Sequence, residues 1–388
     1  MPHTDLPDTA LLDLLTGLVA VDSVNPGLDP TGPGEAAIAA YVLEWARAHG
    51  LAAELAGDPA RPSVLIRTTA TSAGPTLLLC GHLDTVGHGT MSDPTRPRIE
   101  SGRMYGRGTY DMKGGLAAAL VAAARLNDPG HHGSVVVAAV ADEEHLSTGA
   151  EAVLDEVTAD AAIVTEPTEL IVTVAHRGFV WVEVVIDGVA AHGSRPQLGV
   201  DAIVAAGPVL TGLADLQRRL AEVVHPDLGP GTVHASLIHG GTEESTIPDR
   251  CTLVIERRTI PGERVDDVVT EIEQLLDTAR SRTPGARFTA RAIFDRDPME
   301  TLRDEPIVTA AQAARTQVIG TETACGGGSY WADSALITAR GIPTILLGPA
   351  GEGAHAEVEW VDLESVCVTA RILEETARRL ASALPRHE

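Results

Sequence analysis

The sequence predicts an α/β protein in two parts: a mostly parallel sheet covered by helices, interrupted by an inserted ferredoxin-like α+β domain. Three observations lead there. Short runs that are apolar throughout alternate with helical stretches, the pattern of a parallel sheet buried on both faces. Residues 179 to about 294 change texture and follow the order β-α-β-β-α-β, the split ferredoxin-like arrangement. The length, 388 residues, exceeds what one ordinary core organises. The boundaries drawn from these patterns are 1–177 with 295–388 for the main domain and 178–294 for the insertion.

Residues 8–20 and 34–49 read as amphipathic helices, the second stopping at Gly50. TLLLC (76–80), SVVVAAV (134–140), AAIVT (161–165) and TILLG (344–348) have strand length. GGLAAALVAAARL (114–126) and STGAEAVLDEV (147–157) are the helical stretches between them. In the insertion, FVWVEVVIDGVA alternates like a half-exposed strand, and DAIVAAGPVLTGLADLQRRLAEVV is helical. TVHASLIHGG and DRCTLVIERRTI are two further strands, RVDDVVTEIEQLLDTARS a second helix and FTARAIFD a last strand.

Bulk properties exclude several function classes. A net charge of −25 disfavours nucleic acid and anionic membranes as partners. No run is long and apolar enough for a membrane helix, and the acidic start MPHTDLPDTALLDLL lacks the basic region of a secretory signal. Cys80, Cys251, Cys325 and Cys367 are far apart with no CxxC pair, so reduced thiols in a cytoplasmic protein are expected. Lys113 is the single lysine and lies in GRGTYDMKGG.

Polar residues follow each apolar run. His82 and Asp84 follow the first, Asp142, Glu143 and Glu144 the second, Glu166 the third, and His355 comes after the last. In open parallel sheets, ligands bind outside the carboxyl ends of the strands, so these residues converge on one crevice. Three adjacent acids at a buried strand end repel one another and lose water, so a positive partner is expected there. Two histidines with several carboxylates suit Zn²⁺, and a shared carboxylate suits a pair of ions. His82 and Asp84, two apart, share a side, so Asp84 is placed to hydrogen-bond His82 and fix its tautomer. Taken singly, Asp111 is also a plausible helix cap, Glu143 and Glu144 plausible loop acids, and the residues alone do not say which glutamate does what. There is no GxGxxG after a strand, no GxxxxGK[ST], no GxSxG and no HExxH.

As a set, GHLDTV, GRGTYDMKGG, ADEEHLSTGA, IVTEP, AAHGSRP and GPAGEGAHAEVEWV, running from about residue 76 to 361, resemble the M20 family of zinc metallopeptidases and amidohydrolases. The resemblance implies a zinc-peptidase-like domain with an inserted lid and dimerisation domain, and two Zn²⁺ ions for which Co²⁺ or Mn²⁺ can substitute. Asp111 would bridge them, with His82 and Glu166 on one and Glu144 and His355 on the other, and Asp84 would orient His82. Glu143 would be the general base, taking a proton from the attacking water and passing it to the leaving amine. His192, in AAHGSRP, would stabilise the oxyanion in the other subunit of a homodimer. Arg258, in ERRTIPGE, would bind a substrate carboxylate.

Three departures from the family pattern bear on substrate: Ser245 in ESTIPD where Asn is usual, Glu256 for the usual Asp, and bulky Tyr330 and Trp331 in CGGGSYWAD. The implied reaction is hydrolysis of the amide of an N-acyl amino acid. A carboxypeptidase or dipeptidase using the same site is the neighbouring reading, and a binding-only relative the rival from another class.

Overall fold

A computed structural model describes residues 8–69 and 74–383. The chain divides into two compact units, one of Met1–Val174, Thr301–Gly326 and Ala332–Glu388, the other of Ala175–Glu300 with Gly327–Trp331. The breaks fall at 174/175 and 300/301, whereas the pattern placed them at 177/178 and 294/295. The smaller unit is longer at both ends because Met299–Glu300 pairs with His176 and Ala175. It also takes in Trp331, whose ring meets His176 and Phe179 edge-on.

The larger unit is built on strands whose both faces are buried. Ser134–Val140, Thr76–His82, Ala161–Val164 and Thr344–Leu346 lie side by side and parallel. Alternate residues on one face, such as Leu77, Leu79, Val135, Val137 and Ile163, join one core cluster with helices Asp8–Ala20, Ala36–Ala48, Gly114–Leu126 and Leu363–Ala383. Leu78, Val136 and Ala162 on the other face are equally buried. That double burial explains the uninterrupted apolar runs.

The sheet is mixed rather than purely parallel. Ala52–Asp58 and Arg61–Arg67 form an antiparallel hairpin on one edge, a pair that the apolar-run pattern does not reveal. Ala52–Asp58 is largely exposed, as an edge strand can be, so it lacks the apolar run that marks the others.

Helix Gly114–Leu126 is buried at all thirteen positions, an Ala-rich rod against the sheet. Its close approach needs Gly115, where a Cβ would lie 1.8 Å from the Thr165 carbonyl oxygen. That contact joins the start of the helix to the end of the strand that precedes Glu166. Among the described residues no helix is long and apolar enough to cross a membrane.

The smaller unit has four antiparallel strands in the order Thr232–Gly240, Arg250–Thr259, Gly178–Asp187, Arg287–Arg296. With helices Ala202–Leu220 and Val265–Arg282 this is the expected split β-α-β-β-α-β arrangement. One sheet face (Val180, Val182, Val184, Ile186, Leu253, Ile255) is buried under the helices. The alternation also separates two neighbouring arginines. Arg257 is fully buried and paired with Glu263 and Glu271, while Arg258 points to the opposite face.

Gly115→Ala is expected to lower stability by about 1–3 kcal/mol, the usual effect of overpacking a tight contact. Chemical denaturation measures it, and an unchanged midpoint would show that helix and strand have room to part.

Candidate active site

The carboxyl ends of the four parallel strands deliver the polar residues together. His82 ends Thr76–His82, and Glu143 and Glu144 follow Ser134–Val140. Glu166 comes two residues after Ala161–Val164, and His355 sits in the loop beyond Thr344–Leu346 with a left-handed φ of 61°. Asp111 lies in the turn Thr109–Lys113 that feeds the buried helix, and its peptide bond to Met112 is cis.

Asp111 joins the two histidines. Its Oδ1 is 3.2 Å from His82 Nε2 and its Oδ2 is 3.3 Å from His355 Nε2. His82 Nε2 lies 3.7 Å from Glu166 Oε1, and His355 Nε2 lies 3.0 Å from Glu144 Oε2. Donor atoms of His82, Glu143 and Glu166 all lie within 4.8 Å of one another, as do those of His82, Asp111 and Glu144. All six side chains are thus within the span of a metal centre, and distance alone makes Glu143 as available as its neighbours.

The charges are out of balance without a cation. Burial pushes the carboxyls of Glu143, Glu144 and Glu166 up, and repulsion by neighbouring acids adds to it, from Glu166, Asp333 and Glu144 on Glu143, from Asp111 on Glu144, and from Asp111, Glu144 and Asp333 on Glu166. Burial also opposes ionisation of Asp111, but hydrogen bonds from His355 and His82 hold it well below the usual carboxylate range. Hydrogen bonds to Asp111 and Glu144 carry His355 up to about 10. A histidine held charged by two acids occupies ground where a bound cation would take over the same role. Glu144 Oε1 is a buried acceptor with no hydrogen-bond partner among the described residues. Imidazole and carboxylate donors in this number suit divalent zinc, cobalt or manganese. His82, Asp111, Glu144, Glu166 and His355 would hold such ions.

Asp84 behaves differently from the sequence expectation. His82 Nδ1 donates to the Asp84 main-chain oxygen at 2.9 Å, while the Asp84 carboxylate stays 3.7 Å away. The tautomer is still fixed, with Nε2 left as the donor atom, but by the backbone. The carboxylate instead accepts the backbone N–H groups of Glu143 and Glu144, each at 3.2 Å, and the Asn25 amide at 2.7 Å. Asp84 therefore aims the glutamate pair more directly than it aims His82.

Two holders escaped the sequence reading. Asn25, fully buried, bridges Asp84 and Asp142 (3.1 Å), and Asp142 is paired in turn with Arg61. Glu359 accepts the N–H groups of Gly108, Tyr110 and Asp111 and pairs with Arg107, so it fixes the turn that presents Asp111. Their signals were faint: SVNPG reads as a turn, and Glu359 is one acid among several in AEVEW. Lys113 is buried and donates to the Val21 carbonyl at 2.9 Å, tying the Asp111 turn to the segment that leads to Asn25.

His192 and Arg258 belong to the smaller unit. His192 is exposed, and its Nδ1 accepts from the Ser194 N–H at 3.2 Å, which leaves the proton on Nε2. Arg258 pairs with Glu256 and lies over the Phe179 ring, 5.2 Å from its centroid.

The sequence profile of peptidase family M20/M25/M40 matches residues 78–379. The chain belongs to this family. It is a hydrolase of the M20 metallopeptidase type, which removes the binding-only rival. It is 28% identical over 387 residues to the acetylornithine deacetylase of Vibrio vulnificus, covering 95% of this chain and 98% of that one. It is 30% identical over 382 residues to the acetylornithine deacetylase of Myxococcus xanthus, covering 92% and 94%. Its fold is similar to the aminopeptidase PepT of Bacillus cereus, with a TM-score of 0.80, 21% identity and 97% and 99% of the two chains covered. It is also similar in fold to a Bacillus subtilis M20 protein described as a dinuclear metal binding peptidase, with a TM-score of 0.75, 18% identity and 97% and 99% covered.

Asn25→Ala leaves two buried carboxylates short of a donor, so activity or metal affinity is expected to fall about 10–100-fold, as for other supports behind metal ligands. Steady-state kinetics with metal analysis tests this, and a fully active, fully loaded variant would remove Asn25 from the site's support.

Proposed function

We propose that this protein is a di-metal amidohydrolase that cleaves the amide of an N-acyl amino acid, with zinc as the resident metal. The observation that carries the reading is Asp111 set between His82 and His355, with Glu143 beside them. The full-length similarity to enzymes named acetylornithine deacetylases supports an N-acyl amino acid as substrate. A carboxypeptidase or dipeptidase would use the same residues, and assays of acetyl, formyl, succinyl and dipeptide substrates separate the readings.

When bound, the ions would lower the pKa of water and polarise the scissile carbonyl. Glu143 takes the proton of the attacking water and returns it to the leaving amine. Its elevated proton affinity, set by burial and by the neighbouring acids, suits both halves of that transfer. Asp84 keeps Glu143 aimed through the backbone N–H. Arg258 meets a substrate carboxylate, which its planar guanidinium suits. His192, with its proton on Nε2, supplies a donor to the oxyanion.

The same reading makes the protein a cytoplasmic homodimer. The outer strand Thr232–Gly240 leaves Leu237 and Ile238 about half exposed, and Ile203, Val204 and Leu210 on helix Ala202–Leu220 are exposed as well. An open strand edge beside apolar side chains suits a second copy of the chain. Four free thiols, three of them buried, fit a reducing compartment.

Glu143→Ala is expected to keep its metal and lose about 10²–10⁴-fold in rate, whereas Glu144→Ala loses metal. Elemental analysis decides, and the reverse result would exchange the two roles. Removal of metal by chelation should abolish activity and lower the melting temperature, because the carboxylates then repel unopposed. Full activity in verified metal-free protein would end the metal reading.

His192→Ala is expected to lose about 10²–10³-fold in rate. Mixed with Glu143→Ala, it should regain activity, because a heterodimer assembles one site with both groups intact. Mixtures proven to exchange subunits yet still inactive would put His192 outside a shared site.

A further inference from the structure

Side chains hold four successive backbone N–H groups where the chain enters the glutamate pair. Ala141 N–H donates to Ser63 Oγ at 3.1 Å and Asp142 N–H to Glu35 Oε1 at 3.3 Å. Glu143 and Glu144 N–H donate to the Asp84 carboxylate, each at 3.2 Å. Ser63, Glu35 and Asp84 come from three separate segments, so the turn is fixed from outside itself.

The edge hairpin explains part of this. Strand Arg61–Arg67 pairs antiparallel with Ser134–Val140, and the ladder ends with Val64 opposite Ala139. Carried on, the same register sets Arg61 opposite Asp142, just past the end of Ser134–Val140. There side chains replace ladder bonds: Ser63 takes the Ala141 amide, and Arg61 Nη1 donates to Asp142 Oδ1 at 2.6 Å.

Arg61 also reaches a second acid. Its Nε donates to Glu35 Oε2 at 2.9 Å and its Nη2 to Glu35 Oε1, the oxygen that accepts the Asp142 N–H. Glu35 and Asp142 are buried, and among the described residues Arg61 is the one arginine or lysine paired with either. A planar fork neutralises both carboxylates and sets their separation, which a point-like ammonium does not do. Without it, two buried acids would repel across the turn.

Asp142 has a left-handed φ of 69°, a conformation that a residue other than glycine keeps when its surroundings hold it there. Its Oδ2 accepts from Thr148 Oγ1 at 2.8 Å, and its carbonyl from the N–H groups of Leu146 and Ser147. Glu143 follows directly, so a swing at Asp142 moves the Glu143 carboxylate. The metal ligands depend less on this turn. His82, Asp111, Glu166 and His355 come from other strand ends and turns, whereas Glu143 has no substitute, and small misplacements of a reacting group cost much in rate.

We propose that Arg61 is a positioning residue for the general base: by bridging Glu35 and Asp142 it fixes the turn that aims Glu143. The inference rests on the hydrolase reading above for the role of Glu143, and every residue it uses belongs to the larger unit.

The test compares Arg61→Ala and Arg61→Lys with the parent protein, all metal-loaded and well below their melting transitions. Each variant is expected to keep its metal and its KM while kcat falls about 10–100-fold, less for lysine than for alanine. The Arg61 side chain is 21% exposed, so millimolar guanidinium is expected to restore part of the kcat of Arg61→Ala. Methylammonium or sodium chloride at the same concentration should not, and a merely destabilised fold would show no such selectivity. An unchanged kcat in Arg61→Ala, or a loss that excess metal repairs and guanidinium does not, would overturn the inference. Should Arg61→Ala fail to fold, Arg61→Lys carries the test, and full kcat in it overturns the inference. If the parent hydrolyses no N-acyl amino acid or dipeptide, the hydrolase reading fails, and hydrogen exchange of the amides of residues 141–144 decides the rest. Faster exchange in Arg61→Lys supports Arg61 as the holder of the turn, and unchanged exchange overturns it.

Discussion

Crowded negative charge at the ends of buried strands is the constraint around which the larger unit is organised. Asp111, Glu143, Glu144 and Glu166 each come within ligand distance of His82. Carboxylates gathered in that way repel, and burial raises the free energy of each charged form. The protein meets the difficulty with its two histidines, with backbone N–H groups directed by Asp84 and Glu359, and with a donor set that a divalent pair would complete. The Arg61–Asp142–Asn25–Asp84 chain carries the same logic outward, from a paired arginine to the backbone of the glutamates.

Positioning and chemistry are divided between different acids. The residues facing the centre emerge from parallel strands whose registers are set by dense packing on both sides, so their spacing is inherited from the core. The acids behind them, Asp84 and Glu359, hold main-chain N–H groups of the residues that face the centre. Such bonds orient a loop without placing more charge at its tip. Gly115 contributes differently, by letting a helix start against the strand end that presents Glu166.

In the smaller unit the same economy of alternation gives one strand two roles. Arg257 and Arg258 are neighbours in sequence and opposites in space, the first neutralised by Glu263 and Glu271, the second stacked over Phe179. Helices cover one face of this sheet and leave the other to different side chains. Here that face carries rings and guanidiniums, where the covered face carries valines, leucines and isoleucines.

Much of this was legible in the residues. Apolar runs at 76–80, 134–140, 161–165 and 344–348 located the parallel strands because double burial leaves no polar alternation to blur them. The acids and histidines placed just after those runs marked the site, since chain connectivity alone puts them at the carboxyl ends. The β-α-β-β-α-β order of the insertion followed from alternation and helix length. Tertiary structure decided what depends on residues far apart in the chain. It showed that Asp84 holds the glutamate backbone, that Asn25 ties Asp84 to Asp142, and that Glu359 fixes the Asp111 turn across more than two hundred residues. It also brought Phe179, Phe294 and Trp331 together from three separate segments. Periodicity records which face a residue turns to the core, a property of its own strand. A hydrogen bond or a ring contact between distant segments depends on how those strands register against each other, and no local pattern carries that information.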